Sequence, residues 1–146
     1  MNLNELFKLT GKVHVTLTNE HGEVIEQRAT NLVVTTGKDF TASRMVGTAS
    51  NIMSHMAVGS DNTAAAVGNT ALGAELGRVA LTAGTASGNV VTYTATFGAG
   101  VGTGGIQEAG IFNASSGGTM LCRVVFAVVN KGANDTMAIT WTVTVG

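Results

Sequence analysis

Apolar and polar residues alternate along much of this chain with a period of two, which predicts strands with one buried face. In Lys12–Thr18, Val13, Val15 and Leu17 point one way and His14, Thr16 and Thr18 the other. In Val90–Phe97, Val91, Tyr93, Ala95 and Phe97 oppose Val90 and a ladder of Thr92, Thr94 and Thr96. The last strand sets Met137, Ile139, Trp141, Val143 and Val145 against Ala138, Thr140, Thr142 and Thr144. The stretch from Gly105 to Val129 reads as a central hairpin. Its turn is Ala114-Ser115-Ser116-Gly117-Gly118, where glycine supplies positive φ. On the outgoing run, Ala109 and Ile111 share a face with Gln107 and Asn113, and Ile106, Glu108, Gly110 and Phe112 share the other. The return run Met120–Val129 is apolar except for Arg123, which predicts burial on both faces near the middle of a sheet.

Between these strands the pattern predicts further elements. Asn19–Gly22 is a turn, and Glu23–Val34 returns as a long bent strand. Its charged half (Glu23, Glu26, Arg28) lies at an exposed edge and its apolar half enters the core. Thr36–Gly47 is the helix candidate, capped by Thr36 or Asp39 and stopped by Gly47 in the left-handed conformation. Ile52–Val58 is a strand, and Gly59–Asn69 is a small, polar surface loop. Thr70–Leu76 reads as one helical turn. Arg78–Thr85 and Asn89–Phe97 form a second hairpin, and the glycine-rich Gly98–Gly105 links it to the central one. The sum is about eight strands and one short helix. An all-β, antiparallel β-sandwich of jelly-roll type accounts for them, with an immunoglobulin-like sandwich as rival. The expected organisation is an N-terminal arm, residues 1–10, and a single domain, residues 11–146. Leu3, Leu6 and Phe7 of the arm either pack on their own domain or reach a neighbouring subunit.

Composition changes this picture in one respect. Of 146 residues 45% are hydrophobic and only 12% charged, about half the charge of an ordinary soluble domain. So few charges coat a free monomer poorly, and partners are expected to cover much of the surface. Net charge is −1 with no basic run, which gives no footprint for nucleic acid. The single cysteine, Cys122, allows no internal disulfide and favours a reducing compartment of synthesis. The N-terminus lacks signal-peptide features, and no stretch approaches the ~20 apolar residues that span a bilayer.

The search for chemistry predicts no catalytic residue, no cofactor and no metal. His14, His21 and His55 form no ligand-spaced cluster, and His55 is expected to pack with one hydrogen bond. Gly98–Gly105 has neither a following helix nor a GK[ST] sequence, so turn glycines explain it. Ser60–Thr63 lacks the spacing of a calcium loop. Cys122 is expected to be an inert core thiol. Glu108, inside the central hairpin, is expected to pair with Arg123, Arg44 or Arg78 and tie the sheet to a helix or loop.

Three segments carry a resemblance: NLVVTTGKDFTASRMVG (Asn31–Gly47), MAVGSDNTAAAVGNTALGAELGR (Met56–Arg78) and IQEAGIFNASSGGTMLCRVVF (Ile106–Phe126) with TMAITWTVTV (Thr136–Val145). Together they resemble a recurring type of small tailed-bacteriophage virion protein, most closely a capsid cement or decoration protein. The resemblance implies a jelly-roll-like domain, often paired as a homodimer. Such a domain binds the outside of the head and clamps neighbouring major capsid subunits. It implies a virion location after synthesis in the host cytoplasm, with no nucleic-acid or membrane partner. A tail, baseplate or fibre protein is the alternative, and a carbohydrate-binding jelly-roll ranks last. The contact candidates are Leu3, Leu6 and Phe7 of the arm, Glu23, Glu26 and Arg28 at the edge, and Asp61 and Asn62 in the loop.

Overall fold

The computed structural model describes residues 8–48 and 50–146. Nine strands and one helix follow in the order β1 (Leu9–Thr18), β2 (Val24–Val33), α1 (Thr35–Met45), β3 (His55–Gly59), β4 (Glu75–Ala80), β5 (Ala83–Ser87), β6 (Val90–Phe97), β7 (Gly104–Phe112), β8 (Met120–Lys131) and β9 (Thr136–Val145). They form one curled, wholly antiparallel sheet ordered β4-β3-β7-β8-β2-β1-β9-β6-β5. Three of its pairings are nested: β1 with β9, β2 with β8, and β3 with β7. Local hairpins β1–β2, β3–β4, β5–β6 and β7–β8 fill in the rest.

The curl brings the inner faces of its two halves together over one core. Val13, Val15, Ile139, Trp141 and Phe97 from one half meet Met56, Ile111, Cys122 and Val124 from the other. Trp141, Phe97 and Ile111 are fully buried. This burial is the main stabilising term, at about 25 cal/mol per Å² of apolar surface. It also desolvates ionisable groups. Tyr93 is pushed up to about 12, chiefly by burial, and burial raises the Cys122 thiol as well. Neither ionises near neutral pH, and Cys122 is the inert core thiol expected of it.

Several expectations hold in detail. The β7–β8 turn carries Gly117 and Gly118 at positive φ, and β8 is buried on both faces over its first half. The helix ends on Gly47 at φ +67°, whose N–H reaches the Arg44 carbonyl. Glu108 pairs with Arg123 at 3.0 Å, and His55 accepts or donates one hydrogen bond with Ser54 Oγ at 2.8 Å.

Others are corrected. The helix is capped by Val34 without a side-chain bond; Thr36 Oγ1 donates instead to the Met120 carbonyl, 2.9 Å away, tying α1 to β8. Thr70–Leu76 is not helical: Glu75 and Leu76 open β4, with Glu75 paired to Gly59 of β3 and Leu76 at the register shift before the Gly77–Val58 pair. Arg78–Thr85 is not one strand. It breaks at Leu81–Thr82, the corner at which the chain passes from one half of the curl to the other. There the Leu81 N–H donates to Ser54 and the Thr82 N–H to Thr94. The ninth strand comes from this split. A register shift between Ile106 and Glu108 turns Ile106 onto the core side with Ala109 and Ile111; strict alternation had put it opposite them. The strand Ile52–Val58 starts only at His55, and Leu9 and Thr10, assigned to the arm, are already β1.

Candidate interaction surface

Strands β2, β1, β9, β6 and β5 lie side by side and share one outward face. It is assembled by register. Thr30, Lys12, Thr142, Thr92 and Thr85 form one row across five strands. Arg28, His14, Thr140, Thr94 and Ala83 form the next. Neighbouring members of a row stand about 4.8 Å apart, and rows repeat every second residue. None of these side chains is buried, because their alternate neighbours Val13, Ala95, Ile139 and Trp141 fill the core. The Lys12–Arg28 end holds a groove of about 510 Å³ between Lys12, His14, Arg28 and Thr140. His14 Nε2 lies 3.2 Å from Glu26 Oε1. Toward β5 the face is free of charge. Threonine hydroxyls there both donate and accept, and their short side chains lose little entropy on being covered.

Glu26 and Arg28 lie on this face, and Glu23 sits just before it in the turn closed by Asn19. Their strand is less simply an edge than expected. β2 is bonded to β1 over Val24–Asn31 and reaches β8 only at Leu32 and Val33. Its second side is therefore open over its charged half among the described residues. Val24 and Ile25 are more than half exposed there.

Asp61 and Asn62 lie on the far half, in the long 60–74 loop. This loop is held down from below. Glu108, with no exposed surface, accepts N–H bonds from Gly73 (3.1 Å) and Ala74 (3.2 Å) and the Arg123 guanidinium at 3.0 Å. Arg123, 2% exposed, also donates to the Thr63 carbonyl and to Asn69 Oδ1. Asp61 Oδ2 stands 3.5 Å from the same guanidinium. The Thr63 N–H and hydroxyl bonding to Asp61, followed by Arg123, hold its carboxyl below the ordinary 3.8. A Cβ at Gly73 would overlap the Asp61 side chain, so a larger residue there would have to displace that carboxylate. The cluster leaves Glu108 and Arg123 no free valence directed at solvent, so their role is to stiffen a loop whose Asn62 remains exposed. Arg78 does not join it; it pairs with Glu75 at 2.7 Å and stacks on the Phe112 ring at 3.8 Å.

The chain matches no family model, no curated protein and no solved structure. Leu3, Leu6 and Phe7 lie outside the described residues. The structure thus brings Glu26 and Arg28 together on the threonine face and sets Asp61 and Asn62 apart on a different half. Sequence reading found the threonine ladder of β6 strand by strand. It missed the rows that Lys12, Thr142 and Thr92 make across strands, whose only signal is the shared alternation of β1, β9 and β6. Among the described residues no three of His, Cys, Asp and Glu gather as a metal site, and no helix is long and apolar enough to cross a membrane.

Proposed function

We propose that this protein is a structural component of a tailed-phage particle: a cement protein that seats on the outside of the head and clamps neighbouring major capsid subunits, working as a homodimer. The observation that carries this reading is the threonine-rich face, a broad, regular and uncharged-to-weakly-basic surface backed by a continuous core. Such a face suits contact over area rather than capture of a small molecule. The resemblance of Asn31–Gly47, Met56–Arg78 and Ile106–Phe126 to phage virion proteins supports it. The finer architecture we assign is a two-layer sandwich of jelly-roll type, a reading supported by the nested β1·β9, β2·β8 and β3·β7 pairs, the logic of a rolled hairpin.

The mechanism is additive. A shell under internal pressure opens at its subunit seams. Each copy that spans a seam with an interface of roughly 1,600 Å² adds contacts that must break first. No bond is made or broken. The test is to separate heads from tails of the phage that encodes the protein and quantify it in both. Many copies per tailless head, with none on purified tails, is the expected result. A few copies that travel with tails would overturn the cement reading in favour of a tail or baseplate component.

A further inference from the structure

Among the described residues, strand β5, Ala83-Gly84-Thr85-Ala86-Ser87, is the terminal strand of the sheet and pairs on one side only, with β6. All five residues are exposed. An open edge presents unpaired N–H and C=O groups to any passing strand, and proteins guard such edges with charge, proline or a bulge. The other open stretches here follow that rule. β4, at the opposite end of the sheet, carries the Glu75–Arg78 ion pair, and the open half of β2 carries Glu26 and Arg28. β5 has no charge, no proline and no register shift.

We infer that β5 is the self-association edge, pairing antiparallel with β5 of a second copy about a two-fold axis through Thr85. Three observations select a second copy as the occupant. The strand is uncharged, so two copies meet without the like-charge repulsion that paired charged strands suffer. Its side chains are all small, so Gly84 opposite Ala86 and Ala83 opposite Ser87 meet without steric conflict in either direction. Thr85 also ends the row that runs through Thr92, Thr142 and Lys12. Pairing at Thr85 therefore continues one threonine face through five strands of each copy. This inference rests on the self-association proposed above and names its surface. It gives the clamp its geometry: one half of a continuous face for each side of a seam.

Two five-residue strands bury far less than a standard interface, so the free dimer is weak. It is read by sedimentation equilibrium of purified protein up to about 1 mM. Mass is expected to rise from monomer toward dimer. Thr85→Lys sets two ammonium groups opposite one another and is expected to stay monomeric with an unchanged circular dichroism spectrum. An equal mixture of Thr85→Lys and Thr85→Glu is expected to regain the dimer. Thr85→Cys brings two Cβ atoms to about 5 Å, close to disulfide geometry. It is expected to cross-link under mild oxidation at least ~10-fold faster than Ser116→Cys on the exposed β7–β8 turn. Cys122, fully buried, does not interfere. A wild-type monomer at every concentration, or equal cross-linking at positions 85 and 116, overturns the inference. The experiment uses no phage heads, so its failure leaves head binding to be judged separately.

Discussion

Glu108 and Arg123 show how one pair of residues organises a loop fifteen residues long. Both are buried, and the cost of desolvating two charges is offset by their mutual attraction together with the Gly73 and Ala74 N–H groups, the Thr63 carbonyl and Asn69 Oδ1, while Arg123 Nε is left without a partner. Glu108→Gln keeps the shape and removes one charge, leaving the buried Arg123 guanidinium only the Asp61 carboxylate, 3.5 Å away, as counter-charge. It is expected to cost about 3 kcal/mol, the low end of the range for breaking a buried pair, seen as a lower urea midpoint at unchanged m-value. Asp61 acts on the same loop through pH. Its folded carboxyl titrates below the ordinary 3.8, so the unfolded chain binds the proton first as pH falls. The stability this contributes is complete above about pH 4 and is lost as pH drops through the folded value. Asp61→Asn is expected to flatten the decline of the urea midpoint below pH 4 and to leave the midpoint's slope near pH 7 unaltered. That Glu108 would pair with an arginine was legible in the sequence, because a lone carboxylate interrupts an apolar strand, but Arg123, Arg44 and Arg78 were equally open until the register set Arg123 on the adjacent strand. The Gly73 and Ala74 amides that complete the pair were not legible, since a backbone donor has no sequence signature.

At the scale of elements, α1 is placed by one glycine. Gly37 is the buried residue of the helix, and a Cβ there would overlap the backbone carbonyl of Leu121 on β8. Two effects of Gly37→Ala oppose one another. Alanine favours a helix by about 1 kcal/mol, while forcing a backbone apart costs typically 1–3 kcal/mol. The obstacle is main chain rather than a flexible side-chain tip, so the loss wins. The variant is expected to be destabilised by about 1–2 kcal/mol while its helical signal at 222 nm persists. The helix and the β7–β8 hairpin were readable because their signals are local: Gly47 after the last turn, Gly117 and Gly118 between two apolar runs. Pairings β1·β9 and β2·β8 join residues more than eighty positions apart, and period-two alternation says which face is buried without saying which strand lies beside it. The break at Leu81–Thr82 was hidden for a related reason. Arg78–Thr85 has unbroken strand-like composition, and only the two halves competing for its hydrogen bonds divide it. The Ile106 register shift likewise carries no proline to announce it.

For the whole molecule, both halves of the curled sheet share one core, so neither can bury its apolar face alone. Unfolding is therefore expected to be a single cooperative transition. Trp141, the one tryptophan, is fully buried where the halves meet, and its fluorescence should shift together with the far-UV circular dichroism. Separate transitions would mean that the halves are independent units. The fold explains how so few charged residues suffice: the threonine face presents hydroxyls in place of ions. That face is where the account is most exposed to disproof. For the cement role proposed above, the direct measurement is binding of purified protein to phage heads that lack it, comparing wild type with the Thr92→Lys/Thr142→Lys double variant at matched thermal stability. The account predicts at least a tenfold weaker affinity for the variant, about 1.4 kcal/mol; equal affinity would contradict it.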